Sequence, residues 1–226
     1  MTDIYDVIII GAGAAGMMSA IEAGKRGRKV LLIDHAKKIG EKIRISGGGR
    51  CNFTNIHTHP SKFISNNPKF VISALKQYTQ NDFIDLINKH NIKFHEKKLG
   101  QLFCDESAQQ IIDMLLLECQ IAKVTLMKET IITEIDKKDD QYFIAAGNDK
   151  YSCNSLIIAT GGLSVPKIGA SKFGYDIAKK FNMNIIETLP ALVPLTFNQK
   201  ILAMCKELSG LSLETVVFFN KIFFQE

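Results

Sequence analysis

The chain has 226 residues, of which 46% are hydrophobic and 23% charged, and a net charge of +5. That is the balance of an ordinary soluble globular protein with a core for one large or two modest domains. No apolar run approaches the roughly 20 residues of a transmembrane helix.

Five cysteines (Cys51, Cys104, Cys119, Cys153, Cys205) contain no C-x-x-C, which argues against a disulfide framework, a zinc knuckle and a redox dithiol. A reducing, cytoplasmic compartment is expected. Residues 4–10 already read as a core strand, so no signal peptide is expected before them. Lysine doublets at 37–38, 97–98, 137–138 and 179–180 are scattered. Charge therefore reads first as solvated surface, with nucleic-acid contact left open.

In chain order, residues 4–10 are an apolar, β-branched strand. Gly11-Ala12-Gly13-Ala14-Ala15-Gly16 follows, then a helix from Met17 to about Lys25, and a second strand at 29–33 that stops at Asp34. A bare G-x-G-x-x-G is a weak signal. Here it stands between strand and helix, with an acid eighteen residues past its last glycine, which is the dinucleotide-binding arrangement. Gly11 would make the tight turn, Gly13 let backbone approach a pyrophosphate, and Gly16 let helix and strand pack closely. The helix N-terminus would face the phosphates, and Asp34 the ribose hydroxyls.

Residues 35–55 are basic and glycine-rich and read as loop. Asn67-Pro68 predicts a helix to about Gln77, and a second helix spans 82–90 with Phe83, Leu86 and Ile87 on one face. Residues 92–95 and 101–103 flank Gly100 as a hairpin. Ser107 caps a helix with Ile111, Ile112, Leu115 and Leu116 as its buried stripe. A short strand at 124–127 precedes three strand-like runs, 130–136, 141–146 and 150–153, which form an antiparallel meander. Residues 155–159 are a fourth core strand ending in Thr160-Gly161-Gly162. The expected fold is α/β: a doubly wound parallel sheet with the meander on one face and helices on the other. This first domain covers 1–190. A β-rich second domain begins at 191–226, with strand-like text at 213–219 and 222–224 and little helix.

The most specific text is residues 41–55, Glu-Lys-Ile-Arg-Ile-Ser-Gly-Gly-Gly-Arg-Cys-Asn-Phe-Thr-Asn. Three glycines let backbone lie flat against a ligand, and Ser46, Arg50, Asn52 and Asn55 add charge and directional hydrogen bonds. The stretch resembles the loop of the BaiN/YhiN-type flavoproteins, a family of NAD(P)/FAD-dependent oxidoreductases. The likeness recurs at residues 157–162, at Pro166-Lys167-Ile168-Gly169-Ala170-Ser171 with Gly174-Tyr175, and at Pro190-Ala191-Leu192-Val193-Pro194-Leu195.

The resemblance implies FAD, with NAD(P)H as a transient reductant, and a hydride-transferring oxidoreductase. Gly11, Gly13, Ala14, Ala15 and Gly16 would hold the pyrophosphate, and Asp34 with His35 beside it the adenosine ribose. Lys42, Ser46, Gly47, Gly48, Gly49 and Arg50 would approach the ribityl chain and isoalloxazine. Ile132 matches the backbone position that reads adenine, and Thr160, Gly161 and Gly162 would lie by the pyrophosphate or ring. No catalytic residue and no metal site is named. Cys51 reads as packing rather than a redox partner, and the H-x-H of His57 and His59 as surface loop.

The resemblance also implies a substrate that is either a uridine in ribosomal RNA or an unsaturated small molecule; with no long apolar run, no membrane partner is expected. Members of that family continue beyond residue 226, so the chain is expected to be an N-terminal portion. Its missing half would come from another chain, or the chain would be a non-catalytic remnant.

Overall fold

The structure, a computed structural model, describes residues 3–165, 168–190, 196–211, 214–219 and 222–225. It divides into two units, Met1–Ile185 and Ile186–Glu226. The first opens with β1 (Asp3–Ile10), α1 (Ala14–Lys25) and β2 (Val30–Ile33), followed by the short α2 (Glu41–Ile45), a tight turn at Ser46–Gly49 and β3 (Asn52–Asn55). Helices α3 (Ile72–Gln77) and α4 (Gln80–Lys89), strands β4 (Phe94–Glu96) and β5 (Gln101–Cys104), and helix α5 (Gln109–Ile121) come next. Strands β6 (Thr125–Met127), β7 (Ile132–Lys138), β8 (Gln141–Ala146) and β9 (Asp149–Ile158) and helix α6 (Phe173–Lys180) complete it.

The main sheet runs β6-β2-β1-β9-β8-β7. Strands β1 and β2 are parallel neighbours, with Val7 opposite Val30 and Ile10 opposite Ile33. On its other side β1 pairs in parallel with β9, Ile10 opposite Ile158. Alternation along β1 serves two cores, as a strand buried on both faces requires. Ile9 packs with Met17, Ile21, Leu32, Ile112 and Leu115 under the helices. Ile8 and Ile10 pack with Leu31, Ile33, Ile135 and Ile144 under the meander.

Ile135 and Ile144 of the meander share the core of Ile8 and Ile10, and the meander joins the sheet by a route that the residue pattern hid. The runs at 150–153 and 155–159 are one ten-residue strand, β9, whose first half pairs antiparallel with β8 while the strand pairs with β1 along its length. The parallel sheet thus continues without a break into the antiparallel meander.

Other elements are shifted. The helix expected from Asn67 begins only at Ile72, and residues 67–72 form successive tight turns, Phe70 N–H to Asn67 O and Ile72 N–H to Lys69 O. Helix α4 starts two residues early because Thr79 and Asp82 form a capping box, the Asp82 carboxylate accepting Thr79 N–H at 2.6 Å. Residues 52–55, expected as loop, are β3, which pairs with β5 beside β4 in a small antiparallel sheet. Glu118 of α5 is fully buried and accepts from Lys89 Nζ (2.6 Å) and His90 Nε2 (2.8 Å), with Lys25 Nζ at 3.2 Å. It ties α1, α4 and α5 together.

The second unit holds α7 (Gln199–Glu207), capped by Asn198 accepting Ile201 N–H, and the hairpin β10 (Val216–Phe219) with β11 (Ile222–Gln225). Strand-like text was expected at both strands, though not their pairing, while α7 was not announced by its residues. No helix among the described residues is long and apolar enough to cross a membrane.

Candidate functional site

The C-terminal ends of β1, β2 and β9 lie on one edge of the sheet, because all three are parallel and in register there. In such sheets ligands bind beyond that edge. Gly11 N–H donates to Ile33 O at 2.8 Å and Ala159 N–H to Ile10 O at 2.7 Å, so the first glycine turn is wedged between the two neighbouring strand ends. Gly11 has φ +103°, and a Cβ there would stand 2.5 Å from Ala159 O. A Cβ on Gly16 would stand 1.8 Å from Gly11 O. The fold itself excludes side chains at both positions.

Gly13 differs. Its φ is −85° and a Cβ would meet nothing within 4 Å. It is the N-cap of α1, without a side-chain cap and without an acid in the first turn. Met17 N–H is bonded to Gly13 O, so the preceding N–H groups of Ala14, Ala15 and Gly16 have no intrahelical acceptor. Ala14 and Ala15 are exposed. Three donors without helical partners and the positive end of a helix dipole therefore lie at the end of α1 where a Cβ on Gly13 would meet nothing within 4 Å.

Asp34 follows β2 and is mostly buried. One carboxylate oxygen accepts Ala12 N–H at 2.6 Å and the other Ala36 N–H at 2.8 Å. Asp34 therefore clamps the glycine turn, and each oxygen keeps a further lone pair for a ligand hydroxyl. His35 Nδ1 is 3.5 Å from Asp34 Oδ1, and its ring lies against Gly169. Thr130 N–H donates to Asp34 O at 3.0 Å, which brings the start of β7, and with it Ile132, to the end of β2.

The second glycine turn is built differently. Gly47, Gly48 and Gly49 all have left-handed φ (57°, 66° and 86°). A Cβ on Gly47 would stand 2.6 Å from the Phe103 ring, whereas Gly48 has open space around it. Cys51 N–H to Ser46 O, Ala108 N–H to Gly49 O and Cys104 N–H to Arg50 O anchor the turn to β5 and α5. The Ser46 hydroxyl donates to Ile43 O and closes α2. Arg50 is exposed.

Lys42 Nζ donates to Gly162 O at 2.9 Å, across 120 residues. That bond joins the second glycine turn to the segment after β9. Gly161 has φ +77°, Gly174 packs on the Thr160 hydroxyl, and the Tyr175 hydroxyl approaches Gly162. The two loops and residues 160–162 are therefore linked by bonds and contacts within one unit. Pro166 and Lys167, and residues 191–195, lie outside the described residues.

Cys51 is buried, and burial pushes its thiol up, with the Ser46 hydroxyl opposing. Burial, with Cys51 and Asp105 as neighbours, pushes Cys104 up to about 12. Both thiols stay protonated and pack in the core, where they are poor nucleophiles. The sequence showed no second cysteine near Cys51, and β3–β5 pairing supplies one.

Sequence reasoning also missed His95. Its Nδ1 is 2.7 Å from Asp105 Oδ1, and its ring stacks on Phe103, the ring whose edge meets Gly47. Nothing in the spacing of His95, Phe103 and Asp105 announces this, since antiparallel pairing of β4 and β5 creates it. His59 bonds Ser61 instead.

Residues 5–217 match the model of the HI0933-like protein Rossmann domain. The chain belongs to that family. The resemblance drawn from the glycine turns is upheld. Relatives of this HI0933-like chain are named as enzymes. The ribosomal RNA dihydrouridine synthase of Escherichia coli is 50% identical over 213 residues, which is 94% of this chain and 53% of that protein. The protein of the same name in Haemophilus influenzae is 44% identical over 237 residues, 99% of this chain and 58% of that one. The 3-dehydro-bile acid delta(4,6)-reductase of Clostridium scindens is 26% identical over 190 residues, 83% of this chain and 46% of that protein. The chain thus spans about half the length of the curated relatives it matches.

Proposed function

We propose that this chain is the FAD-holding part of a flavin-dependent oxidoreductase. Gly11, Gly13, Ala14, Ala15 and Gly16 would take the pyrophosphate, Asp34 and His35 the adenosine ribose, and the backbone at Ile132 the adenine. Lys42, residues 46–50 and residues 160–162 would hold the ribityl chain and isoalloxazine. FAD, when bound, supplies hydride-transfer chemistry, with NAD(P)H as the transient donor.

One observation carries the reading. Gly13 is the member of its motif that folding does not require to be glycine, and it stands directly before three N–H groups without helical partners. A side chain there would fill the cradle where an anion belongs. The chain's own contribution is to bind and orient. Asp34 fixes the turn, and Lys42 draws the second glycine turn onto residues 160–162.

For the substrate, the reading is a uridine base in RNA, supported by the names of the two relatives at 50% and 44% identity. An unsaturated steroid-like acid is the second reading, supported by the relative at 26%. Titrating apo-protein with FAD tests the cofactor. Wild type should bind and Gly13→Asp should not, while both keep the same circular dichroism. Equal affinity in the two would place the cofactor elsewhere. Turnover on a uridine-containing RNA against an unsaturated bile acid separates the substrates.

A further inference from the structure

Positive charge is unevenly distributed along this chain. Between Glu41 and Asp82 there is no acidic residue, and there are six basic ones: Lys42, Arg44, Arg50, Lys62, Lys69 and Lys76. The remaining residues hold 22 basic and 23 acidic side chains, so this stretch carries +6 and the rest of the chain −1. Lys42 and Arg44 are engaged, with Gly162 O and with Glu41 and Gln109. Lys62, Lys69 and Lys76 make no ion pair among the described residues.

The same stretch exposes rings. From residue 61 to 78 no residue is buried. Phe63 is 43% exposed, Phe70 79% and Tyr78 39%. Two Lys-Phe dipeptides, 62–63 and 69–70, put a cation next to a ring. Gln80 Nε2 donates to Ile56 O at 3.2 Å, so the segment leaves and returns at one point. That point lies at the end of β3, whose four residues span about 13 Å from the second glycine turn.

We propose, resting on the RNA reading above, that residues 56–79 are the docking surface for single-stranded RNA. Lys62, Lys69 and Lys76 contact phosphates, and Phe63, Phe70 and Tyr78 stack on unpaired bases. Single-stranded RNA is held by this combination of cations and exposed aromatic faces. A protein partner fits less well, because lysine is depleted where protein surfaces meet. The β3 link would deliver a base from this surface to the turn at Ser46–Gly49.

The test is fluorescence anisotropy of the full chain with a labelled uridine-rich 12-mer RNA at several salt concentrations. The triple variant Lys62→Glu/Lys69→Glu/Lys76→Glu should bind at least tenfold more weakly. Its slope of log affinity against log salt should be shallower by about 2, from about 0.7 per lost phosphate contact. Phe70→Ala should lose about fivefold with the slope unchanged. The charge-matched control Lys128→Glu/Lys138→Glu/Lys150→Glu should stay within twofold of wild type. Polyphosphate should compete at least tenfold less well than unlabelled RNA.

Equal losses in the control and the triple variant, or polyphosphate competing as well as RNA, would overturn the proposal. So would a Phe70→Ala variant that binds RNA normally but turns a dimer into a monomer on sizing, since a second copy would then own the surface. Wild type that binds FAD but no RNA would sink the RNA reading itself. Wild type that binds RNA with the triple variant unaffected would sink only this surface.

Discussion

The two glycine turns use the same residue for different reasons. In the first, Gly11 and Gly16 are demanded by contact, since added Cβ atoms would sit 2.5 Å from Ala159 O and 1.8 Å from Gly11 O. Its rigidity comes from three parallel strand ends and a helix packed on them. In the second, all three glycines are demanded by left-handed backbone, and contact adds to that only strongly at Gly47. Its rigidity comes from hydrogen bonds to β5 and α5. Within each turn the glycine with open space above it, Gly13 or Gly48, is the one that the rest of the chain leaves for something else.

The sharpest way to break this comparison is Gly16→Ala. The new Cβ has backbone as its neighbour, so relief must move α1 off β1, at a cost of at least about 3 kcal/mol. Thermal unfolding should fall by roughly 10 °C, and a Tm within 2 °C of wild type would show that the turn has slack.

Gly13→Asp should leave Tm within about 2 °C and lower FAD affinity more than a hundredfold, about 3 kcal/mol. An equal drop in Tm would mean that Gly13 is structural after all.

A third experiment asks how far the first turn depends on the opposite end of α1. Burial alone would raise the Glu118 carboxyl, yet hydrogen bonds from Lys89, His90 and Lys25 hold it at about 2, against 4.5 ordinarily. The folded state thus binds its proton more weakly than the unfolded state does. This stabilisation is complete above about pH 4.5 and is lost as pH falls through about 2, for a total of about 3 kcal/mol. Urea unfolding at pH 6 and pH 3 should show wild type losing more stability than Glu118→Gln does. Parallel losses in the two proteins would remove Glu118 from the account.

Smaller effects distinguish ligand from scaffold. Asp34→Ala should weaken FAD binding by roughly 1–3 kcal/mol, because Ala12 N–H loses its acceptor and the proposed ribose site loses its carboxylate. Gly48→Ala should cost only about 1 kcal/mol of stability, the strain of a left-handed residue, while visibly shifting the bound flavin's absorbance. A stability loss as large as that of Gly16→Ala would mean that Gly48, too, is held by contact.

Much of this was readable from residues because it is local. Residues 4–34 announce strand, turn, helix, strand and acid by hydrophobic pattern and glycine spacing, and β1, α1 and β2 follow in that order. Alternation at 141–146 and the polar turn at 147–149 announce β8 and the hairpin into β9. What failed was local text overridden by distant partners. Asn52-Phe53-Thr54-Asn55 has weak strand propensity and becomes β3 because β5 lies beside it. Asn67-Pro68 resembles a helix start, yet the chain makes turns there, with no buried face to hold a longer helix.

The sequence by itself determined where the glycines and the two glycine turns fall and where the basic residues gather, because these properties belong to single residues and their neighbours in the chain. Tertiary structure alone decided that β9 serves both the parallel sheet and the meander, that Lys42 reaches Gly162, and that Cys51 meets Cys104. It also decided that His95 stacks on Phe103, whose ring closes the space beside Gly47. Each of those depends on strand pairing or side-chain reach across tens of residues, and such contacts arise from burying a common core rather than from any pattern along the chain.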